Sequence, residues 1–322
     1  MLKIGSMGTS AIMEMIQDAI ARTDGLTGQV ICSRDAERAA AFAKKVGVPE
    51  SCGDYSAMVR RDDLDIIYLA SPNCCHVAQA LEAMEQGKHV IVEKPLAVTL
   101  KEAQLLAEKA KEKKVFLLEA ITTLFMPAYL IAREKLPQLG QLDTVELTYG
   151  QYSSKYDAYL RGENPNIFNP AMQTGALNDM GVYCAHMAVD LLGAPNSVCY
   201  RAEHGPNGID LGGTAELDYG AFTCVLRTSK KDNIGSGICI RGARGEITQQ
   251  GAINSFSACQ GSVDGVSFDT GVQEAANRME YEMARFRDAI VNGDWAFRDH
   301  MLEQSVQVCR ILDLAHQNET EA

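Results

Sequence analysis

The chain has 322 residues, 46% hydrophobic and 22% charged, enough for about two domains at ~150 residues each and a composition typical of folded rather than disordered protein. Thirty Lys and Arg against 42 Asp and Glu leave a formal charge of −12, which excludes a broad basic field for nucleic acid or an anionic membrane. No apolar run reaches the ~18 residues of a membrane span, and ten scattered cysteines without a C-x-x-C spacing predict reduced thiols in a cytoplasmic protein.

The first 120 residues alternate regularly. Leu2-Lys3-Ile4 reads as a strand with no charged-then-apolar leader ahead of it, and residues 10–21 read as a helix with Ile12, Met15, Ile16 and Ile20 on one face. Strands at Gln29–Cys32, Asp65–Ala70, His89–Val92 and Val115–Leu118 alternate with helices at Ala36–Val46, Val77–Gln86 and Thr99–Lys111. Apolar strands spaced by helices predict βαβ units, hence a doubly wound parallel (Rossmann) α/β domain over residues 1–120. After Pro127 a helix (Ala128–Leu136) precedes period-two strands at Asp143–Tyr149, Ser197–Glu203, Gly213–Asp218, Ala221–Thr228, Ile238–Arg241 and Glu246–Gln249. An apolar helix, Asn178–Leu192, interrupts them, and helices at Glu274–Asn292 and Asp299–Ala315 close the chain. Residues 121–322 are therefore expected to form an α+β substrate and oligomerisation domain. Its mostly antiparallel sheet is open on one face, and the terminal helices are free to pack back on the first domain.

Between the first strand and first helix lies Gly8-Thr9-Ser10-Ala11-Ile12-Met13. The dinucleotide fingerprint G-x-G-x-x-G/A needs a tight turn, a close backbone approach to pyrophosphate, and close helix–strand packing. Gly8 meets the first requirement, but Ser10 and Met13 occupy the other two glycine places. The Thr9 and Ser10 hydroxyls are placed to donate to a phosphate at the helix N-terminus; alternatively Ser10 crowds it, and the loop is a plain turn. At the end of the second strand, Ser33 stands where NAD enzymes carry an acid, with Arg34 next and Arg38 one turn on. Guanidinium groups there suit a 2′-phosphate, so NADP is expected over NAD, with Asp35 the opposing signal.

Two further segments end strands at the edge where doubly wound sheets bind ligands: Ser71-Pro72-Asn73-Cys74-Cys75-His76 and Glu93-Lys94-Pro95. The six histidines show no H-x-H or H-x-x-x-H spacing, so no metal site is expected. In the later helix, Asp179, Tyr183 and His186 fall at i, i+4 and i+7 on one face, where His186 reads as a core residue.

Taken together, the degraded loop, Ser33-Arg34-Asp35, Ser71-Pro72-Asn73…His76, Gly87–Pro95, Glu119-Ala120, Gly175–Tyr183 and Tyr281–Phe286 resemble the Gfo/Idh/MocA oxidoreductases over nearly the whole chain. Tyr183, four residues after Asp179, is the version of the pattern found in glucose–fructose oxidoreductase and the dihydrodiol dehydrogenase-like members. The resemblance implies a dehydrogenase or reductase acting on CH–OH groups, with NADP (or NAD) bound by Gly8 to Ile12, Ser33, Arg34, Arg38, Ser71, Pro72, Asn73, His76, Glu93 and Lys94. It also implies a site in which Lys94 faces Asp179 and Tyr183. On that pattern Tyr183 exchanges the hydroxyl proton, Lys94 orients the substrate oxygen and favours ionised Tyr183, and Asp179 accepts from substrate or holds Lys94. Asn73 and His76 would border the nicotinamide.

The chain departs from the dihydrodiol pattern after the last Rossmann strand, where Thr122 and Leu124 replace an aromatic and a basic residue. A sugar, polyol or related hydroxy compound is therefore the expected substrate, with Tyr156, Tyr159, Arg161, Asn164 and Phe168 of the 152–173 loop serving as ligands or as loop anchors. The resemblance also implies a homo-oligomer, a dimer or tetramer. It leaves two alternatives open: a cofactor-binding regulatory member without turnover, and an NAD-assisted glycosidase.

Overall fold

In the computed structural model, which describes residues 1–271 and 275–321, strand and helix alternate from the start: β1 (Leu2–Met7), α1 (Ala11–Arg22), β2 (Leu26–Cys32), α2 (Ala36–Val46), β3 (Glu50–Cys52), α3 (Tyr55–Val59), β4 (Ile66–Leu69), α4 (Asn73–Glu85), β5 (His89–Glu93), α5 (Leu100–Lys113) and β6 (Leu117–Ala120). All six strands pair in parallel in the order β3-β2-β1-β4-β5-β6. The direction of winding reverses between β1 and β4, so their carboxyl ends flank the crevice where such sheets take a dinucleotide. The central strands are buried on both faces, Ile66–Leu69 and Val90–Val92 being almost wholly inaccessible. Val115 and Phe116 precede β6 rather than lying in it, because the pairing with β5 starts at Leu117.

The chain continues through α6 (Pro127–Lys135), β7 (Leu142–Gly150), α7 (Tyr156–Leu160), a π-helical turn (Leu177–Gly181) that runs into α8 (Val182–Leu192), and β8 (Ser197–His204). Then come β9 (Asp210–Asp218), β10 (Thr223–Ser229), β11 (Ser236–Gly242), β12 (Gly245–Gln250), β13 (Gln260–Val263), β14 (Val266–Asp269), α9 (Met279–Asn292), α10 (Trp295–Gln317) and β15 (Glu319–Glu321). The helix expected from Glu274 begins at Met279, and Glu274 itself lies outside the described residues. The nine strands order β14-β13-β12-β11-β7-β10-β9-β8-β15 in a mixed sheet, antiparallel except for β7–β10 and β8–β15.

One face of this sheet is apolar and covered: Val145, Leu147, Ala215, Leu217, Cys224, Leu226, Ile238, Ile240 and Ile247 are all buried. The other carries Glu146, Arg201, Glu216, Arg227, Arg241 and Glu246, cross-paired as Arg201–Glu216, Arg227–Glu146 and Arg241–Glu246. This is the inside–outside alternation of a half-covered antiparallel sheet.

The chain divides into two compact units, Met1–Ala97 with Lys101–Ala120 and Ala275–Val306, and Val98–Leu100 with Ile121–Glu274 and Gln307–Ala322. Within the first, Asn277 ahead of α9 donates to the Met15 carbonyl at 2.7 Å and to Asp18 at 3.0 Å on α1. Among the described residues no helix is long and apolar enough to cross a membrane, and no group of three or more His, Cys, Asp or Glu is arranged to hold a metal.

Candidate functional site

In the first unit, Gly8 ends β1 with φ +128°, and a Cβ there would sit 2.7 Å from the Ala70 carbonyl oxygen. Only glycine fits this turn, and its N–H donates to Cys32 O at 3.0 Å, extending the β1–β2 ladder by one residue. Ser10 follows as the N-cap of α1; its hydroxyl caps no backbone N–H, and the residue is exposed with Ala11. Met13 points the other way and is fully buried in the core. The third glycine's place is therefore filled by packing beneath the helix, and the exposed turn keeps the open backbone that a diphosphate needs. A glycine cradle that a Cβ would fill, leading into the free end of a 12-residue helix, fits a dinucleotide.

At the end of β2, Asp35 is the N-cap of α2, and its Oδ1 accepts from Arg38 N–H at 3.0 Å while its own N–H donates to Ser33 Oγ at 3.3 Å. The carboxylate is thus engaged by the helix it begins. Arg34 and Arg38 are exposed, and neither forms an ion pair among the described residues.

The neighbouring strand ends are braced rather than open. His76 is buried, with its ring nitrogens each 2.9 Å from a carbonyl oxygen, that of Pro95 and that of Ser71. A neutral ring donates to one of them, and burial lowers its pKa. Ser71 Oγ donates to Gln79 Oε1 at 2.6 Å, and Pro72 is the N-cap of α4, whose first residue is Asn73. Glu93 accepts from Tyr68 OH at 2.8 Å, and burial raises its pKa. On the far side of the same turn, buried Glu119 accepts from Leu96 N–H at 2.9 Å. His76 and Glu119 therefore pin Pro95 and Leu96, and Lys94 is presented, half-buried, from a loop fixed just beyond it.

In the second unit, the segment from Gly175 to Val189 is buried at every residue except Asp179 and Tyr183, which are half-buried. His186 lies fully inside, as the core reading expects. Two glycines permit this placement. Gly175 has φ +121°, and a Cβ there would fall 1.6 Å from Asp210 Oδ1. That space lets Asp210 Oδ2 accept from Leu177 N–H at 2.7 Å and from Tyr200 OH at 3.0 Å, securing the start of the helix. Gly181 packs against β10, where a Cβ would stand 3.3 Å from Thr228 Cγ2. The Tyr183 ring meets Tyr149 of β7 edge-on, with centroids 5.6 Å apart. The expected helix thus starts as a π-turn, a wider turn of the kind that recurs at functional sites.

The sequence of the first unit matches, over residues 2–120, the family model described as "Oxidoreductase family, NAD-binding Rossmann fold", and residues 135–248 match the GFO/IDH/MocA C-terminal domain. The chain belongs to the GFO/IDH/MocA family. It is 36% identical over 260 residues to the Escherichia coli protein named "Uncharacterized oxidoreductase YgjR", covering 81% of this chain and 78% of that one. It is 32% identical over 315 residues to the Bacillus subtilis scyllo-inositol 2-dehydrogenase (NADP(+)) IolU, covering 98% and 96%. In fold it is similar to the 3-ketoreductase KijD10 of Actinomadura kijaniata, solved with NADP and TDP-benzene, at a TM-score of 0.84 and 21% identity over 99% of this chain and 98% of that one.

Within this GFO/IDH/MocA chain the 152–173 loop has its own small core. The rings of Tyr159 and Phe168 stack with centroids 5.0 Å apart, Tyr156 contacts both, and Ile209 and Leu211 pack beneath. Tyr159 OH donates to Asn207 Oδ1 at 2.7 Å, and Asn207 Nδ2 donates to the Phe168 carbonyl at 2.8 Å. These aromatics anchor the loop, while Arg161 is exposed and paired with Glu163. Thr122 and Leu124 are buried.

Sequence reasoning passed over Lys230, whose Nζ lies 2.8 Å from Asp179 Oδ2. Its signal was the period-two pattern itself. Cys224, Leu226 and Thr228 face the covered side, and the next inward place after β10 is a lysine.

Proposed function

We propose that this protein is an NADP-dependent oxidoreductase that interconverts a secondary alcohol and a ketone on a sugar or cyclic polyol. The observation that carries the cofactor choice is the engagement of Asp35 as a helix cap, which leaves Arg34 and Arg38 to meet a 2′-phosphate without an acid competing for them. The NADP(+) and scyllo-inositol in the name of the Bacillus subtilis relative support the same choice and a polyol substrate.

Gly8, Thr9, Ser10, Ala11 and Ile12 would cradle the diphosphate, Ser33, Arg34 and Arg38 the adenosine end, and Ser71, Pro72 and Asn73 the nicotinamide side. His76 and Glu93 act by shaping the strand ends on which those contacts stand. When bound, the dinucleotide supplies the hydride acceptor or donor. Tyr183 takes the hydroxyl proton during oxidation and returns it during reduction. Lys94 donates to the substrate oxygen and favours the phenolate of Tyr183. Asp179 accepts from a neighbouring hydroxyl and so fixes which carbon reacts.

The same reading puts the protein in the cytoplasm, where its scattered cysteines stay reduced. It also makes it a homo-oligomer joined through the uncovered, charge-alternating face of the nine-stranded sheet; a single-chain mass by light scattering at micromolar concentration would rule that assembly out.

The deciding experiment is a fluorescence titration of the purified protein with NADPH and with NADH, followed by a screen of inositols and aldoses for reduction of NADP. Binding selective for NADPH and turnover of a polyol or sugar are expected. Binding of neither dinucleotide would overturn the reading, and turnover of a glycoside with no net change in nicotinamide absorbance would replace it with glycosidase chemistry.

A further inference from the structure

Lys230 is only 2% exposed, yet it carries an ammonium. Its backbone extends the ladder beyond β10: the N–H donates to Leu211 O at 2.7 Å, and the carbonyl accepts from Ser153 N–H at 2.8 Å. Its Nζ donates to Asp179 Oδ2 at 2.8 Å and to the Ile167 carbonyl at 3.1 Å, and lies 5.2 Å from the centroid of the Phe168 ring. One side chain therefore joins three things: the end of a central strand, the half-buried carboxylate of the π-turn, and the aromatic loop anchored by Tyr159 and Phe168.

A buried cation is a costly way to fill space, since an apolar side chain of similar volume usually serves stability as well or better. Its placement makes sense where a carboxylate must be held in one orientation. An unrestrained aspartate rotates about its terminal torsion, which is broad. The same ammonium donates to Oδ2 and to the loop carbonyl, so a turn of Asp179 costs a charge-assisted hydrogen bond and loosens the tie between the π-turn and residues 166–168.

We propose that Lys230 is a positioning residue for Asp179, locking that carboxylate to the 152–173 loop so that a polyhydroxylated substrate meets an acceptor of fixed direction. The proposal rests on the reading of Asp179 as a substrate-facing acceptor.

A double-mutant cycle tests it, with kcat and KM measured for the best polyol or sugar of the screen and NADPH affinity measured alongside. Lys230→Met removes the charge and both donors and should lower kcat/KM about 10- to 100-fold, as expected for a lost charge-assisted hydrogen bond, with NADPH affinity within about twofold. In an Asp179→Asn background the same change should cost less than about threefold, because the group it positions is already gone. Lys230→Arg, which keeps the charge and donors, should recover most of the rate and guards against simple misfolding.

An equal cost in both backgrounds, or no cost in the wild-type background, would overturn the proposal. Hydrogen exchange provides a readout independent of turnover: Lys230→Met should speed exchange in residues 153–168 and 175–181 together. Unchanged exchange there would refute the tie even if the wild-type protein reduced no NADP. Failure of the wild-type protein to turn over any hydroxy compound, with the exchange effect present, would count against the proposed activity alone.

Discussion

The carboxylate of Asp35 accepts from the backbone N–H of Arg38 at 3.0 Å, so the acid that follows Arg34 in sequence faces its own helix. Aspartate two places past the expected ribose-binding position looks like an argument for NAD when only the order of residues is considered. As an N-cap it satisfies one of the orphan donors of α2, which stabilises the helix by about 1 kcal/mol.

Arg34→Ala should therefore weaken NADPH binding about 10- to 100-fold, the effect of losing a charged hydrogen-bond donor to phosphate, and leave NADH binding within about twofold. Nicotinamide fluorescence titrations of the two dinucleotides measure both. An equal loss for NADPH and NADH would place Arg34 on the adenine, and no loss for either would place it outside the site.

Tyr183→Phe removes a hydroxyl at one of the two half-buried positions between Gly175 and Val189 while keeping the ring against Tyr149. Turnover is expected to fall by about 100-fold or more, in the range of lost acid–base catalysis, with NADPH affinity and melting temperature close to wild type. A kcat within a few-fold of wild type would assign the proton transfer elsewhere.

Gly175→Ala should be among the most damaging single-methyl changes in the chain. It forces φ +121° on an alanine and drives Cβ to 1.6 Å from Asp210 Oδ1, displacing the carboxylate that caps Leu177. A loss of about 3 kcal/mol or more is expected from combined backbone strain and loss of the cap. Gly47→Ala is the control: φ is +74°, but nothing stands within 4 Å, and a cost nearer ~1 kcal/mol is expected. Urea denaturation of the two variants compares them directly.

Stability should also fall on the acid side. Burial lowers the pKa of both His76 and His89, and His89 Nδ1 accepts from Phe116 N–H at 3.0 Å, which requires an unprotonated nitrogen. The unfolded chain then takes up these protons first. The contribution of the neutral rings is present above the unfolded imidazole pKa of about 6.5 and is lost as pH falls below it. His89→Asn, which keeps an acceptor for Phe116, should show a shallower fall in urea midpoint between pH 8 and pH 5. A slope identical to wild type would remove His89 from that account.

The first unit was legible from its residues because its rules are local. Apolar runs of four or five residues between helical repeats leave no arrangement but a parallel sheet, and glycine and proline mark the strand ends where ligands bind. The same locality made Asp179 and Tyr183 visible as a pair four residues apart on an apolar helix. The short strands β3 and β14 at the sheet edges, and β13 beside β14, carry too little apolar patterning to be legible in the sequence. The parallel pairing of β7 with β10 was hidden because register across more than 70 residues leaves no mark on either strand.

Sequence alone determined the two fold classes, the oxidoreductase resemblance and the residue types of the candidate site. Tertiary structure alone decided what each charged group faces. It turned Asp35 onto α2, buried Met13 away from the phosphate turn, set His76 and Glu119 to brace the loop after Lys94, and brought Lys230 to Asp179 across 51 residues of chain. Periodicity specifies which face a side chain takes, but the partner it meets there is fixed only when distant elements pack.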